Sequence, residues 1–172
     1  VVGPFGAAAA CARLLGLDAA TTLHALAIAG SHAGGLKEFK HSGGSVKRIH
    51  CAIPSMAGVR SALMAAHGIT GPAAILEGEH GLLEVFAGTY DATQLTAALG
   101  SEYRLLGVAF KPFACNLSMH AVVEALDGLQ RAHRFEAGDV ARIDVGVSSS
   151  ALRDVGAIVE PIDVLGAQTS IA

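Results

Sequence analysis

Between Gly6 and Leu15 the chain reads GAAAACARLL, and no stretch constrains the fold more. Alanine has the highest helix propensity of any residue, so the run predicts a helix, with Gly16 as its stop. Asp18 then supplies an N-cap for a second helix through Ala29, which Gly30 can end. In that second helix Leu23, Leu26 and Ala27 recur at three- and four-residue spacing, which makes one buried face. The two together read as an αα-hairpin. So small and apolar a pair cannot cover itself, and it must pack on helices supplied elsewhere, by another part of the protein or by another subunit.

Composition agrees with that requirement. Of the 172 residues, 52% are hydrophobic, yet aromatics make up only 5% and tryptophan is absent. The apolar content is therefore mainly alanine, valine and leucine, which favours closely packed helices over a sandwich of aromatic strands. Glycine or a charged group interrupts every apolar run before the roughly 18 residues a membrane span requires, so a soluble protein without a membrane partner is expected. Cys11, Cys51 and Cys115 are odd in number and far apart, which argues for a reducing, cytoplasmic setting and against a disulfide framework. No CxxC or HExxH spacing suggests a metal. The chain opens at Val1 with neither an initiator methionine nor a signal peptide and stops within QTSIA, so a piece of a larger protein is expected.

Beyond the hairpin, the paired glycines at 34–35 and 43–44 mark a loop, and the composition break at Gly34 and Gly35 is the candidate domain boundary. Pro54 is best tolerated in a first turn, which starts the next helix near Ile53 and runs it to His67. A short helix is expected from Pro72 to Glu77, and a further one capped by Asp91 through Leu99. Tyr103 to Phe110 is apolar enough for a buried strand that Lys111-Pro112 ends. His120 to His133 reads as a helix with Val123, Leu126 and Leu129 on its apolar side. Val140 to Ser148 alternates imperfectly and predicts a strand, and Ala157 to Pro161 a third extended piece. From Phe135 onward acids outnumber Lys/Arg six to two, which reads as solvated acidic surface.

Charge singles out one region. Between Lys37 and Arg60 five Lys/Arg face one acid, Glu38, a net +4 in a chain of formal net charge −3. Such an inversion asks for an anionic partner. Nucleic acid fits poorly, since aromatic interleaving is confined to Phe39 and the pI is about 6.2. The glycines match neither the Walker nor the dinucleotide pattern, so a phosphate loop is not indicated. Lys47 and His50, three residues apart, sit with Arg48 just before a predicted helix start, where unpaired N–H groups and the dipole favour anions. A cation can neutralise a substrate carboxylate while an imidazole moves a proton near neutral pH. That combination suits proton abstraction beside a carboxylate followed by elimination, decarboxylation or epimerisation; a solvated basic surface is the alternative. Lys111 and His120 bracket a second loop, FKPFACNLSMH, with the same pairing of cation and imidazole, or else a strand-ending lysine and a capping histidine.

The succession FGAAAACARLLGLD, GSHAGGLKEF, SVKRIH, GITGPAAILEGEHGLLEVFAG and FKPFACNLSMHAVVEAL resembles the MmgE/PrpD family over nearly the whole chain. That family includes 2-methylcitrate dehydratase, cis-aconitate decarboxylase and iminodisuccinate epimerase. The resemblance implies an α+β protein in two parts: residues 1–34 as the end of a helical domain, and residues 35–172 as an α+β lid with a small, mainly antiparallel sheet. It implies a homodimeric enzyme acting on a small di- or tricarboxylic acid, with 2-methylcitrate-like dehydration foremost, and without metal or organic cofactor. It carries the family's catalytic lysine and histidine onto Lys47 and His50, with Arg48, Lys111, His120 and Phe86 as substrate-binding residues. The second loop departs from the family's usual KPYPCC, reading KPFACN, so Phe113 lacks a phenol. The remaining catalytic groups of the family belong to a stretch before Val1. Read without them, the chain is a non-catalytic module that binds an anion or a partner subunit.

Overall fold

A computed structural model describes residues 1–172. The alanine-rich opening folds as α1 (Gly3–Leu14) and the next segment as α2 (Ala19–Gly30). Asp18 caps α2, its Oδ1 accepting the Thr21 N–H at 2.8 Å. What the hairpin needs is supplied from within the chain: α4 (Ala52–Ala66) packs against both α1 and α2. Ala12, Ala25, Ala62 and Ala65 are buried together, with Cys11, Leu17 and Ile28 packed around them. Side chains this short let helix backbones approach closely. At Gly58 the approach leaves no room at all, because a Cβ there would lie 2.4 Å from the Ala7 Cβ and 2.5 Å from the Pro4 carbonyl oxygen. Ser61, fully buried in the same face, satisfies its hydroxyl by donating to the Ala57 carbonyl at 2.8 Å.

The chain divides into two compact units. The first comprises residues 1–35 and 46–106, the second residues 36–45 and 107–172. Besides the three packed helices, the first unit holds α5 (Leu82–Ala87) and short 3-10 turns at Ala92–Leu95 and Arg104–Gly107. The second holds α3 (Phe39–Ser42), a 3-10 turn at Leu117–Met119 leading into α6 (His120–His133), then α7 (Ser149–Val155) and α8 (Val164–Gln168).

The expected α+β class and its antiparallel sheet are not found: the structure is helical and contains no β-strand. Tyr103 to Phe110 instead carries the 3-10 turn at 104–107, with Leu106 87% exposed and Phe110 fully so. Val140 to Ser148 forms no regular element, and Arg142 and Asp144 bind each other across two residues at 2.7 Å. Ala157 to Pro161 is likewise outside any strand. An apolar or alternating run specifies a strand only where a second backbone completes the ladder, and none of these three segments meets one. Two helical readings are also corrected. Residues 72–77 form turns, and the helix capped by Asp91 shrinks to one 3-10 turn at Ala92–Leu95. The latter gives way before Ala98 and Gly100, both at positive φ.

Candidate functional site

Ser45 to Ile49 winds as a 3-10 turn directly ahead of α4. Residues three apart eclipse one another in such a turn, so Lys47 and His50 fall on one side of it. The His50 N–H closes the turn by donating to the Lys47 carbonyl at 3.2 Å. Lys47 and Arg48 are exposed and His50 is half-buried. No side chain caps α4, whose first turn also contains Pro54. The uncapped N–H groups of that turn follow directly in sequence on two cationic residues, a combination that favours an anion. Imidazole beside it can accept or donate a proton.

The other predicted residues lie elsewhere. Lys111 is exposed, and its Nζ donates to the Cys115 carbonyl at 3.3 Å, folding the FKPFAC segment back on itself. His120 is the first residue of α6. Its ring meets Phe113 edge-on with centroids 5.4 Å apart, and its Nε2 is shielded from solvent without a hydrogen-bond partner. A buried imidazole nitrogen left unpaired costs free energy, so His120 has a hydrogen bond still to make beside the Phe113 ring. Phe86 stands on α5 and is 59% exposed. Lys47, Arg48 and His50 thus share one turn of the first unit, Lys111 and His120 share one loop of the second, and Phe86 belongs to neither group.

Within the acidic C-terminal stretch, two exposed or half-exposed aspartates have partners far away in sequence. Lys40 Nζ donates to Asp154 Oδ1 at 2.5 Å. The hydrogen bond from Lys40, followed by its charge, holds the Asp154 carboxyl below the usual carboxylate range. Asp163 accepts from the Gly44 N–H at 3.0 Å and from the Gly166 N–H at 2.6 Å, the latter as the N-cap of α8. Asp163 offered a sequence signal, an aspartate three residues before Gly166 at a helix start. Asp154 offered none, since its partner lies 114 residues away. No group of three or more His, Cys, Asp or Glu side chains is arranged to hold a metal ion, and no helix is long and apolar enough to cross a membrane.

Residues 1–95 match the sequence profile of the MmgE/PrpD N-terminal domain. The whole chain aligns with a cis-aconitate decarboxylase-like protein of Aspergillus oryzae at 32% identity and with cis-aconitate decarboxylase of Aspergillus terreus at 30%. Human cis-aconitate decarboxylase aligns with 76% of the chain at 32% identity. The chain spans 38% of the length of the two Aspergillus proteins and 27% of the human one. No solved structure matches it.

Proposed function

This chain belongs to the MmgE/PrpD family, and from that premise we propose that the intact protein is a lyase acting on a small polycarboxylic acid. The observation that carries the reading is the turn at 45–50, where Lys47 and His50 stand one 3-10 turn apart against the uncapped start of α4. Lys47, with Arg48 beside it, holds a substrate carboxylate; His50 carries the proton.

Decarboxylation is the reaction we favour, with a cis-aconitate-like tricarboxylate as substrate, because each of the relatives above bears that activity in its name. When the bond from carbon to the departing carboxylate breaks, its electron pair stays on the substrate and must be taken up by a proton. A protonated His50 supplies that proton, while Lys47 grips a carboxylate that remains and offsets the charge that develops. Dehydration of a 2-methylcitrate-like acid would use the same two groups in the reverse sense, with imidazole removing a proton beside a carboxylate and water leaving. Epimerisation would return that proton to the opposite face.

The test uses the intact protein with cis-aconitate, 2-methylcitrate and iminodisuccinate in turn, following carbon dioxide release, water elimination and inversion separately. Carbon dioxide release from cis-aconitate is expected. Lys47→Ala should lower kcat/KM by about 10²- to 10³-fold and His50→Gln by a comparable factor. Near-normal kinetics for Lys47→Ala would sink the assignment. An intact protein that binds these acids without turning any of them over would favour a non-catalytic, anion-binding role.

A further inference from the structure

Helix α4 is apolar on two opposite sides, and only one of them is covered. Ala57, Gly58, Ser61, Ala62 and Ala65 are buried on the side that packs against α1 and α2. Ile53, Met56, Val59, Leu63 and Met64, the large side chains of the same helix, are between 39% and 61% exposed. At about 3.6 residues per turn this second row lies opposite the first. A helix that faces water on one side carries polar groups there, whereas a helix apolar on both sides is a buried one. The small residues serve the close approach at Gly58; the large ones have nothing to pack on.

Spacing and charge say what fits this face. Ile53, Met56, Arg60 and Leu63 follow one another by steps of three and four, the seam along which one helix packs lengthwise on another. Arg60 stands in the middle of that seam, exposed and in no salt bridge. A guanidinium goes under cover only against a carboxylate. No Asp or Glu occurs between Glu38 and Glu77, so α4 of a second copy brings none. A bilayer fits no better, because a helix lying on a membrane keeps its cations away from its apolar row. We propose that the outer face of α4 seats a helix of the same polypeptide from outside residues 1–172. Its apolar row meets Ile53, Met56 and Leu63, and its Asp or Glu pairs with Arg60. The two Aspergillus relatives have room for such a helix, since the chain spans 38% of their length. The inference stands apart from the reading of Lys47 and His50 and does not depend on it.

Photo-crosslinking in the intact protein tests it, with p-benzoylphenylalanine placed at Met56 and, separately, at Leu63. After irradiation and digestion, the expected product runs at monomer mass and joins the label to a peptide outside residues 1–172, with an Asp or Glu within one helical turn of the linked residue. A cross-link to a second copy, to lipid or to another part of residues 1–172 would overturn the proposal, and so would a label that links to nothing. Arg60→Met should lower the thermal midpoint by several degrees, because it strands the opposing carboxylate, while Arg60→Lys should keep most of the parent value. Equal midpoints for all three proteins would show that Arg60 stays in water and defeat the pairing. If the bulky label prevents folding, Met56→Cys takes its place, with its reaction followed at the peptide that carries it. Its thiol should react with a maleimide at least about tenfold more slowly in the native protein than in the urea-unfolded one, and equal rates would overturn the proposal.

Discussion

Lys40 and Asp154 stand 114 residues apart in sequence and 2.5 Å apart in the fold, ammonium against carboxylate. The lysine side chain is 20% exposed and the aspartate 47%, so water screens the pair and its contribution to overall stability is small. Its effect on titration is clearer. The hydrogen bond from Lys40, then its charge, depresses the Asp154 pKa. The pair is thus fully formed above the ordinary aspartate value of about 3.9 and is lost as pH falls through the lower folded value. Following the Asp154 carboxyl by NMR should give a midpoint below that ordinary value, and Lys40→Met should move it upward. A midpoint at or above the ordinary value in the parent protein would contradict the contact.

At Gly58 helix α4 lies against α1 with no space for a side chain. A Cβ built there would sit 2.4 Å from the Ala7 Cβ, 2.5 Å from the Pro4 oxygen and 2.6 Å from the Ala8 nitrogen. Two of these three neighbours are backbone atoms, so no rotamer change relieves the overlap and the helices must separate. Gly58→Ala should cost about 1–3 kcal/mol, the usual range for overpacking, and lower the thermal midpoint by several degrees. Gly128→Ala in α6 is the control, because nothing lies within 4 Å of the added methyl. It should stabilise by up to about 1 kcal/mol through helix propensity alone. Equal effects of the two substitutions would show that the α1–α4 approach is looser than the structure has it.

What could be read from sequence divides along the distance over which each signal acts. Periodicity bounds helix α6 at His120 and His133, and Gly16, Asp18, Gly30 and Pro54 mark ends of α1, α2 and α4, because caps and spacing are local. The place of Lys47 and His50 just ahead of α4 is legible for the same reason, because Pro54 marks the helix start, whereas the 3-10 turn itself is not. Helices α3, α5, α7 and α8 run four to seven residues, too short to show a repeat in the sequence. The predicted strand at 140–148 rested on alternation, which describes one strand's faces and says nothing of a partner. The ties of Lys40 to Asp154 and of Gly44 to Asp163 span more than a hundred residues, and only the tertiary fold reveals them.

Arg134 ends α6 in the left-handed region, at φ 54° and ψ 38°, with its N–H donating to the Gln130 carbonyl at 2.7 Å. A residue with a Cβ pays roughly 1–2 kcal/mol for that conformation, which glycine escapes. Glycine also has the freer unfolded chain, which takes back about 0.4–1 kcal/mol. Arg134→Gly should therefore raise stability by about 0.5–1 kcal/mol, a shift of a few degrees in the thermal midpoint. Arg134→Ala, which keeps the Cβ, should not. A midpoint lowered by the glycine would mean that the arginine side chain itself contributes to the end of α6.

Asp18 Oδ1 accepts the Thr21 N–H at 2.8 Å, and this one bond decides where α2 begins. It is also the first cause of the lowered Asp18 pKa, ahead of the hydrogen bond from the Thr21 hydroxyl. Depression of the folded pKa means that the cap stabilises α2 fully above the ordinary aspartate range and fades as pH falls through the folded value. Because α2 closes the alanine core through Ala25, fraying at its start loosens the packing of Ala12, Ala62 and Ala65 as well. Asp18→Ala should lower the thermal midpoint at neutral pH by a few degrees, and Asp18→Ser, which still caps, should lower it far less. As pH falls through the lowered folded value and the parent loses the charge on its cap, the gap between parent and alanine variant should narrow. A gap that stays constant from neutral to acid pH would show that Asp18 acts through something other than its ionised carboxylate.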